Sequence, residues 1–317
     1  MADWQTALET VAAAYARGTL EKDARTISEA YRLKTGEGRR LLTRKSEAAA
    51  YALSRMPATV EAAKAALTEA LAATGLAPKT LLDCGAGTGA VTFAADALLG
   101  LERATCLERE TAMRAVGQQL MREAGGVQAE WAACDLTAKE PHGSFQLAGL
   151  VCEGYMLGEL EASMRLHVAG KLWDACEQML VLIEPGTPQG FANLRAAREA
   201  LTGRGAYVAA PCPEGSAACP MTGDNWCHFA VRVQRTRLHK ALKGGDAPYE
   251  DEKFTYLVLT REKPENPCRA RLLRHAQIGP GRILLPVCEA GEEKTITVTK
   301  KDPLWKRARK IRWGERI

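Results

Sequence analysis

The residues Asp83-Cys84-Gly85-Ala86-Gly87-Thr88-Gly89 stand between a short apolar run, Thr80-Leu81-Leu82, and a helical pattern over 90 to 99. Glycines at alternate positions let the backbone turn sharply after a strand and come close to a ligand at the N-terminus of the next helix. The following sequence keeps this rhythm. Apolar runs at Ala104-Thr105-Cys106-Leu107, Glu130-Trp131-Ala132-Ala133, Leu147 to Cys152 and Met179-Leu180-Val181-Leu182-Ile183 alternate with helical patterns at 111 to 123 and from about 160 to 177. Such alternation predicts an α/β fold with a parallel sheet built from βαβ units.

Residues 1–75 have a different texture, rich in Ala, Leu, Glu, Lys and Arg. They predict an N-terminal helical module broken at Lys34-Thr35-Gly36-Glu37-Gly38 and again at Met56-Pro57. Residues 76–317 then form the main domain. Within it, 185–253 interrupts the strand and helix pattern with Pro, Gly and Cys and reads as a cysteine-rich insertion. Phe254-Thr255-Tyr256-Leu257-Val258-Leu259 and Arg282-Ile283-Leu284-Leu285-Pro286-Val287 are expected as closing strands, followed by a basic tail over 300–317.

A chain of 317 residues fits one large domain with an added helical or metal-binding part. Ten cysteines would predict disulfides in a short secreted protein, but Met1-Ala2-Asp3-Trp4-Gln5 shows no basic segment leading into an apolar run. The early acids Asp3, Glu9, Glu21 and Asp23 also argue against an organelle transit peptide. Reduced thiols and a cytoplasmic location are expected. The alanine-rich stretch 47 to 73 is broken by Arg55, Glu61, Lys64 and Glu69, so no apolar run reaches the roughly 18 residues of a membrane span. No membrane partner is expected, and a monomer is favoured.

The net charge of +5 is gathered at two places. Arg32, Lys34, Arg39, Arg40, Arg44 and Lys45 form one cluster. Lys300, Lys301, Lys306, Arg307, Arg309, Lys310, Arg312 and Arg316 form another, interleaved with Trp305 and Trp313. Cationic side chains neutralise phosphates and indoles stack on bases, so the pair of clusters favours RNA over two merely solvated helix faces.

Glu108 lies about twenty residues beyond the glycine loop, at the end of the second strand, where a carboxylate can accept hydrogen bonds from ribose hydroxyls. Asp135, after the third strand, adds a polar wall. This order resembles class I S-adenosylmethionine-dependent methyltransferases more than NAD enzymes, which implies a Rossmann-like sheet. Asp83, Gly85, Gly87, Gly89, Glu108 and Asp135 are the candidate cofactor-binding residues. Glu153-Gly154-Tyr155-Met156-Leu157-Gly158-Glu159-Leu160, after the fourth strand, lacks the Asn/Asp-Pro-Pro-aromatic sequence of many amino-group methyltransferases. Tyr155 and Glu159 are expected to face the pocket, but no acid–base pair stands out and catalytic residues stay unassigned. Pro211-Cys212 follows the fifth strand rather than the fourth, the wrong place for a cytosine-methylating nucleophile, so Cys212 reads as a ligand.

Cys212, Cys219 and Cys227 crowd one polar segment with six and seven residues between them. Thiols on a loop, two of them followed by proline, suit zinc or an iron–sulfur cluster. A fourth ligand has three candidates in His228, Cys268 and Cys288. The other cysteines, Cys84, Cys106, Cys134, Cys152 and Cys176, fall on sheet elements and read as small core residues.

These features join an ordered set of motifs: Tyr51-Ala52-Leu53-Ser54-Arg55-Met56-Pro57-Ala58-Thr59, the glycine loop, Gly154 to Leu160, Glu184-Pro185-Gly186-Thr187-Pro188, the cysteine segment, Arg235-Thr236-Arg237, Tyr249 to Phe254 and Trp313-Gly314. Together they resemble the methyltransferase-like family associated with the small ribosomal subunit in bacteria and mitochondria. The resemblance implies an S-adenosylmethionine-type fold, a [4Fe-4S] cluster in preference to zinc, and binding to small-subunit ribosomal RNA during assembly. It also implies Cys212, Cys219, Cys227 and Cys288 as the cluster ligands. Two functions are expected to compete: an rRNA methyltransferase, and a non-catalytic assembly factor that uses the same fold and cluster to bind rRNA.

Overall fold

Leu81 and Leu82 are neighbours in the chain yet enter different hydrophobic cores, one on each face of a central sheet. The computed structural model describes residues 3–33, 42–138, 145–221, 225–243 and 246–317. Helices α1 (Trp4–Ala13), α2 (Arg17–Leu33) and α3 (Lys45–Thr74) come first. Strands and helices then alternate: β1 (Thr80–Cys84), α4 (Ala90–Leu99), β2 (Arg103–Glu108), α5 (Thr111–Ala124), β3 (Ala129–Ala133), β4 (Ala148–Gly154), α6 (Ala162–Asp174), β5 (Cys176–Pro185) and α7 (Pro188–Thr202). The remainder is β6 (Tyr207–Ala210), β7 (Phe229–Gln234), α8 (Arg237–Lys243), β8 (Tyr249–Thr260), β9 (Ala270–Leu272), β10 (Gln277–Gly279), β11 (Arg282–Glu289), β12 (Glu292–Thr299) and α9 (Trp305–Ala308).

The main sheet runs β3-β2-β1-β4-β5-β8-β6, with β7 also paired to β8. Strands β1 to β5 are parallel, as the βαβ pattern predicts. The sheet is nevertheless mixed, because β8 runs antiparallel to β5, β6 and β7. An antiparallel return needs no long crossover, and the short α8 connection from β7 to β8 suffices. Strand order changes direction between β1 and β4, and one reversed strand follows β5; this is the class I methyltransferase-like α/β arrangement. Every residue of β4 from Ala148 to Glu153 is buried, as expected of a strand covered on both faces.

Alternate side chains of each strand serve opposite layers. Leu81, Leu150, Val181, Ile183 and Val258 pack with α1 to α5, whereas Leu82, Val151, Leu180, Leu182 and Leu257 pack with α6 and α7. Residues 1–75, expected as a helical module, share their core with the sheet: Ala63, Ala66 and Leu67 of α3 belong to the cluster that holds Phe93 of α4 and Val116 of α5. The predicted break at Met56-Pro57 is absent. Pro57 lies inside the single helix α3, where burial of Met56 and Pro57 offsets the lost backbone donor.

The stretch 185–253 contributes α7, β6, β7 and α8, so regular structure gives way to loop chiefly between β6 and β7. The strand expected at 282–287 forms as β11, but it joins a separate antiparallel sheet, β10-β11-β12 with β9 on β11, instead of closing the main one. The end of the chain is tied to that sheet. Gly314 N and Ile317 N donate to the carbonyls of Leu272 and Ala270 at 2.9 and 2.8 Å, and Trp305 and Ile311 pack on its core.

Gly190, in the first turn of α7, donates through its backbone N to the Thr187 hydroxyl at 3.1 Å, and a Cβ there would lie 2.1 Å from the Pro185 carbonyl oxygen. Backbone cannot move aside as a flexible side chain can. Gly190→Ala is therefore expected to destabilise the protein by about 1–3 kcal/mol. Thermal denaturation checks this, and an unchanged midpoint would show that the start of α7 shifts freely.

Candidate functional site

Beyond β1, Gly85, Gly87 and Gly89 adopt φ values of 70°, 58° and 88°, which side chains bearing a Cβ rarely tolerate. The loop leans on the end of β2, with Gly85 N and Ala86 N donating to Leu107 O at 2.8 and 3.0 Å. That contact brings Glu108 under the turn. Its Oε2 accepts from Gly87 N at 2.9 Å and its Oε1 from Glu110 N at 2.8 Å. Glu108 is only 8% exposed, and burial pushes its carboxyl up. Even so, a carboxylate oxygen has a second lone pair for another donor. Gly85, Gly87, Glu108 and Asp135 line one cleft of about 800 Å³, open mouth included, at the C-terminal ends of the parallel strands. This is where ligands bind in open α/β sheets. Asp135 Oδ1 holds its own loop, accepting from Thr137 N at 3.0 Å and Thr137 Oγ1 at 2.6 Å.

Asp83 and Gly89 are not among the residues that line the cleft. Asp83 is fully buried beneath the loop, where its Oδ2 accepts from Thr92 Oγ1 at 2.7 Å and Thr92 N at 3.2 Å. It fastens α4 to β1. A Cβ on Gly89 would clash only with the mobile end of Met121, so the φ of 88° is what calls for glycine there. Burial, the dominant cause, raises the Asp83 carboxyl to about 7; the Thr92 hydrogen bonds oppose the rise and the Glu108 charge adds to it.

The folded chain thus keeps the Asp83 proton where the unfolded chain has lost it, and stability falls as pH rises through that window. Asp83→Asn fixes the neutral form. It is expected to match wild type near about pH 4 and to gain on it up to about pH 7, by roughly 4 kcal/mol at most. Denaturant midpoints at several pH values test this; a pH-independent difference would show that Asp83 does not titrate there.

Tyr155 and Glu159 line the cleft, in the positions expected from the strand order. Tyr155 has φ 63°, and its hydroxyl donates to Glu252 Oε1 at 3.1 Å, with Arg55 3.6 Å from the same oxygen. Burial pushes its hydroxyl pKa well up. Tyr51 of α3, Arg109 and Met113 complete the wall, and only the folded packing of α3 and α5 identifies them. Two acids escaped the sequence reading. Glu153 accepts from Met156 N at 3.1 Å and Ile183 N at 3.2 Å, and Glu184 accepts from Asn193 Nδ2 at 3.1 Å. Both are fully buried at the ends of β4 and β5, and burial raises both carboxyls, Glu184 to about 7.

A second cavity opens where the main sheet meets the small one. Cys212 follows β6, Cys219 lies in the loop, Cys227 precedes β7 and Cys288 lies on β11; all four line this cavity. Cys219, Cys227 and Cys288 also pack in one cluster with Met221 and Leu273. Cys268 and His228 are not among the residues that line the cavity. The Cys268 thiol accepts from Arg271 Nη2 at 3.6 Å, and His228 packs between Trp226 and Trp313 at centroid distances of 5.2 and 4.4 Å. Burial pushes the Cys212 and Cys227 thiols up and Cys288 to about 12. Among the described residues, no three His, Cys, Asp or Glu side chains converge as they would on a single metal ion. None of the ten cysteines is disulfide-bonded.

Of the first basic cluster, Lys34, Arg39 and Arg40 lie outside the described residues, as does Asp224 in the cysteine segment. Arg44 is committed to internal pairs with Asp23 at 2.8 Å and Glu47 at 2.9 Å. The second cluster is presented to solvent: Lys300, Lys301, Lys306, Arg307, Arg309, Lys310 and Arg312 are all exposed, beside half-buried Trp305 and Trp313. Among the described residues, no helix is long and apolar enough to cross a membrane.

Residues 45–317 match the family described as Rsm22, mitochondrial small ribosomal subunit Rsm22. The Homo sapiens ribosome assembly protein METTL17, mitochondrial, is 26% identical over 257 residues, covering 75% of this chain and 55% of that protein. The chain thus spans about half the length of this curated relative. That relative is named as mitochondrial, which lends no support to the cytoplasmic expectation. Among solved structures, the magnesium protoporphyrin IX methyltransferase of Synechocystis with bound SAM is 14% identical, with TM-score 0.41 over 76% of this chain and 97% of the other. The plantazolicin methyltransferase BpumL in complex with SAH is 10% identical, with TM-score 0.43 over 78% and 98%.

Proposed function

The chain belongs to the Rsm22 family, and from that premise we propose that it is a methyltransferase-like assembly factor of the small ribosomal subunit. In this reading it binds S-adenosylmethionine and holds a [4Fe-4S] cluster on Cys212, Cys219, Cys227 and Cys288. The observation that carries the cofactor is Glu108, a buried carboxylate pinned by two backbone amides inside the cleft beside Gly85 and Gly87. It is poised to take ribose hydroxyls, with Asp135 further along the wall. The exposed cations around α9, flanked by two indoles, support rRNA as the partner.

The cluster reading is supported by four thiols around one cavity. When bound, the cluster would supply a covalent crosslink between the β6–β7 loop and β11. Binding must displace thiol protons, so loading is favoured by higher pH. Anaerobically purified protein is expected to be brown, with a visible charge-transfer band that Cys288→Ser removes. Colourless wild type carrying stoichiometric zinc would sink the cluster.

Methyl transfer to rRNA is the first reading of the activity. A second reading, a factor that grips immature subunits without turnover, is favoured by Tyr155, whose hydroxyl is held to Glu252 instead of standing free as a base. Labelled S-adenosylmethionine incubated with the protein and immature small subunits separates them. Label in RNA supports transfer, and no label with intact cofactor binding leaves the gripping role.

A further inference from the structure

Arg198 of α7 is 6% exposed, yet among the described residues it has no carboxylate partner. Its Nη1 donates to Ala217 O at 3.4 Å and its Nη2 to Ser216 O and, at 3.3 Å, to Ala217 O, both in the loop between Cys212 and Cys219. Its Nε is buried with no hydrogen-bond partner, and the side chain lines the cysteine cavity. A buried cation with an unspent donor is costly unless an anion accompanies it. Among the described residues, the ionisable group set against Arg198 is the Cys212 thiol, through charge and a side-chain hydrogen bond. Burial pushes the Cys212 thiol up while Arg198 beside it pulls the other way.

We propose that Arg198 is the counter-cation of the cysteine site, with its Nε–H held as a donor for the Cys212 sulfur once that sulfur is a ligand. This rests on the reading of the four cysteines as cluster ligands. Four thiolates around a cubane cluster make a dianion when the cluster is oxidised, and one more electron adds one more negative charge. Arg271, buried on the cavity wall, supplies a second cation, but Glu69 already pairs with it at 2.9 Å. Among the described residues, Arg195 and Arg271 on the cavity wall pair with Glu199 and Glu69, and Arg198 has no carboxylate partner. A positioning residue of this kind stabilises the reduced cluster more than the oxidised one, because the attraction grows with the negative charge. A residue that only propped the loop would need no donor beyond those spent on Ser216 and Ala217, yet the buried Nε is left over.

The test compares wild type, Arg198→Lys and Arg198→Gln after anaerobic reconstitution with iron and sulfide. Iron per chain, release of iron to a chelator and the cluster midpoint potential are measured, and circular dichroism reports folding. Arg198→Gln is expected to release iron about tenfold faster or more, the range seen when outer hydrogen-bond partners of a metal site are removed. Its potential is expected to fall, and Arg198→Lys, which keeps the charge, to lie between the two. Should Arg198→Gln fail to load or fold, Arg198→Lys decides: a shifted potential supports the assignment, and wild-type behaviour overturns it. Arg198→Gln with wild-type iron release and potential likewise overturns it. A wild-type chain that takes up no iron and sulfide instead sinks the cluster reading itself, and this inference with it.

Discussion

Glu108→Ala is expected to weaken S-adenosylmethionine binding by about 100-fold or more, measured by isothermal titration calorimetry. Two hydrogen bonds from ribose hydroxyls to a carboxylate contribute roughly 1.5–3 kcal/mol each, and a tenfold change in Kd takes about 1.4 kcal/mol. The substitution also frees the amides of Gly87 and Glu110, which set the turn against β2. Loss of binding therefore combines missing contacts with a loosened loop. Glu108→Gln separates these causes, because its amide oxygen can keep one backbone amide while losing the charge. An intermediate affinity for Glu108→Gln supports direct recognition. Wild-type affinity in Glu108→Ala would remove Glu108 from the site and leave Asp135 and the glycines without an anchor for the ribose.

Arg271→Ala is expected to lower the stability of the whole chain by about 3 kcal/mol or more, the usual consequence of stripping one partner from a buried ion pair. The Arg271 side chain is 3% exposed, and its Nη1 lies 2.9 Å from Glu69 of α3. The same guanidinium donates to Pro211 O at 2.6 Å and to Gly314 O at 2.7 Å. One residue therefore joins the N-terminal helices, the start of the cysteine loop and the basic C-terminal segment. Glu69→Gln leaves the buried Arg271 guanidinium without its counter-charge and should cost a similar amount, about 3 kcal/mol. The pair Glu69→Gln with Arg271→Met should cost less than the sum of its parts. Urea denaturation gives these values, and limited proteolysis adds an independent readout, since losing the Gly314 anchor should expose 300–317 to cleavage. An Arg271→Ala midpoint equal to wild type, with unchanged proteolysis, would contradict the central place given to this residue.

The glycine loop and Glu108 were legible in the sequence because their geometry is local: a strand, a turn that needs positive φ, a helix, and the end of the adjacent strand. Asp83 belongs to the same motif, but the structure sets its carboxylate against α4. Whether an acid at a strand end faces ligand or helix depends on the parity of its position in the sheet, and parity turned Asp83 toward Thr92. The expected parallel sheet held for β1 to β5 and failed at β8, where apolar residues alone carry no sign of strand direction. Charge at 300–317 was equally plain, yet nothing in its composition indicated that Gly314 and Ile317 would be fastened to β9.

The cysteine segment marks the same boundary. By itself, the sequence placed three thiols on one loop, because Cys212, Cys219 and Cys227 fall in a Pro- and Gly-containing polar stretch without helix or strand periodicity. Spacing left His228, Cys268 and Cys288 open as the fourth ligand. The tertiary structure sets the three in different surroundings: pairing with β9 and β12 places Cys288 of β11 on the wall of the cavity that Cys212, Cys219 and Cys227 line, while His228 packs against Trp313 and Cys268 accepts from Arg271. Local sequence fixes what a short segment must do; contacts between segments 61 residues apart, as Cys227 and Cys288 are, depend on how whole sheets pack.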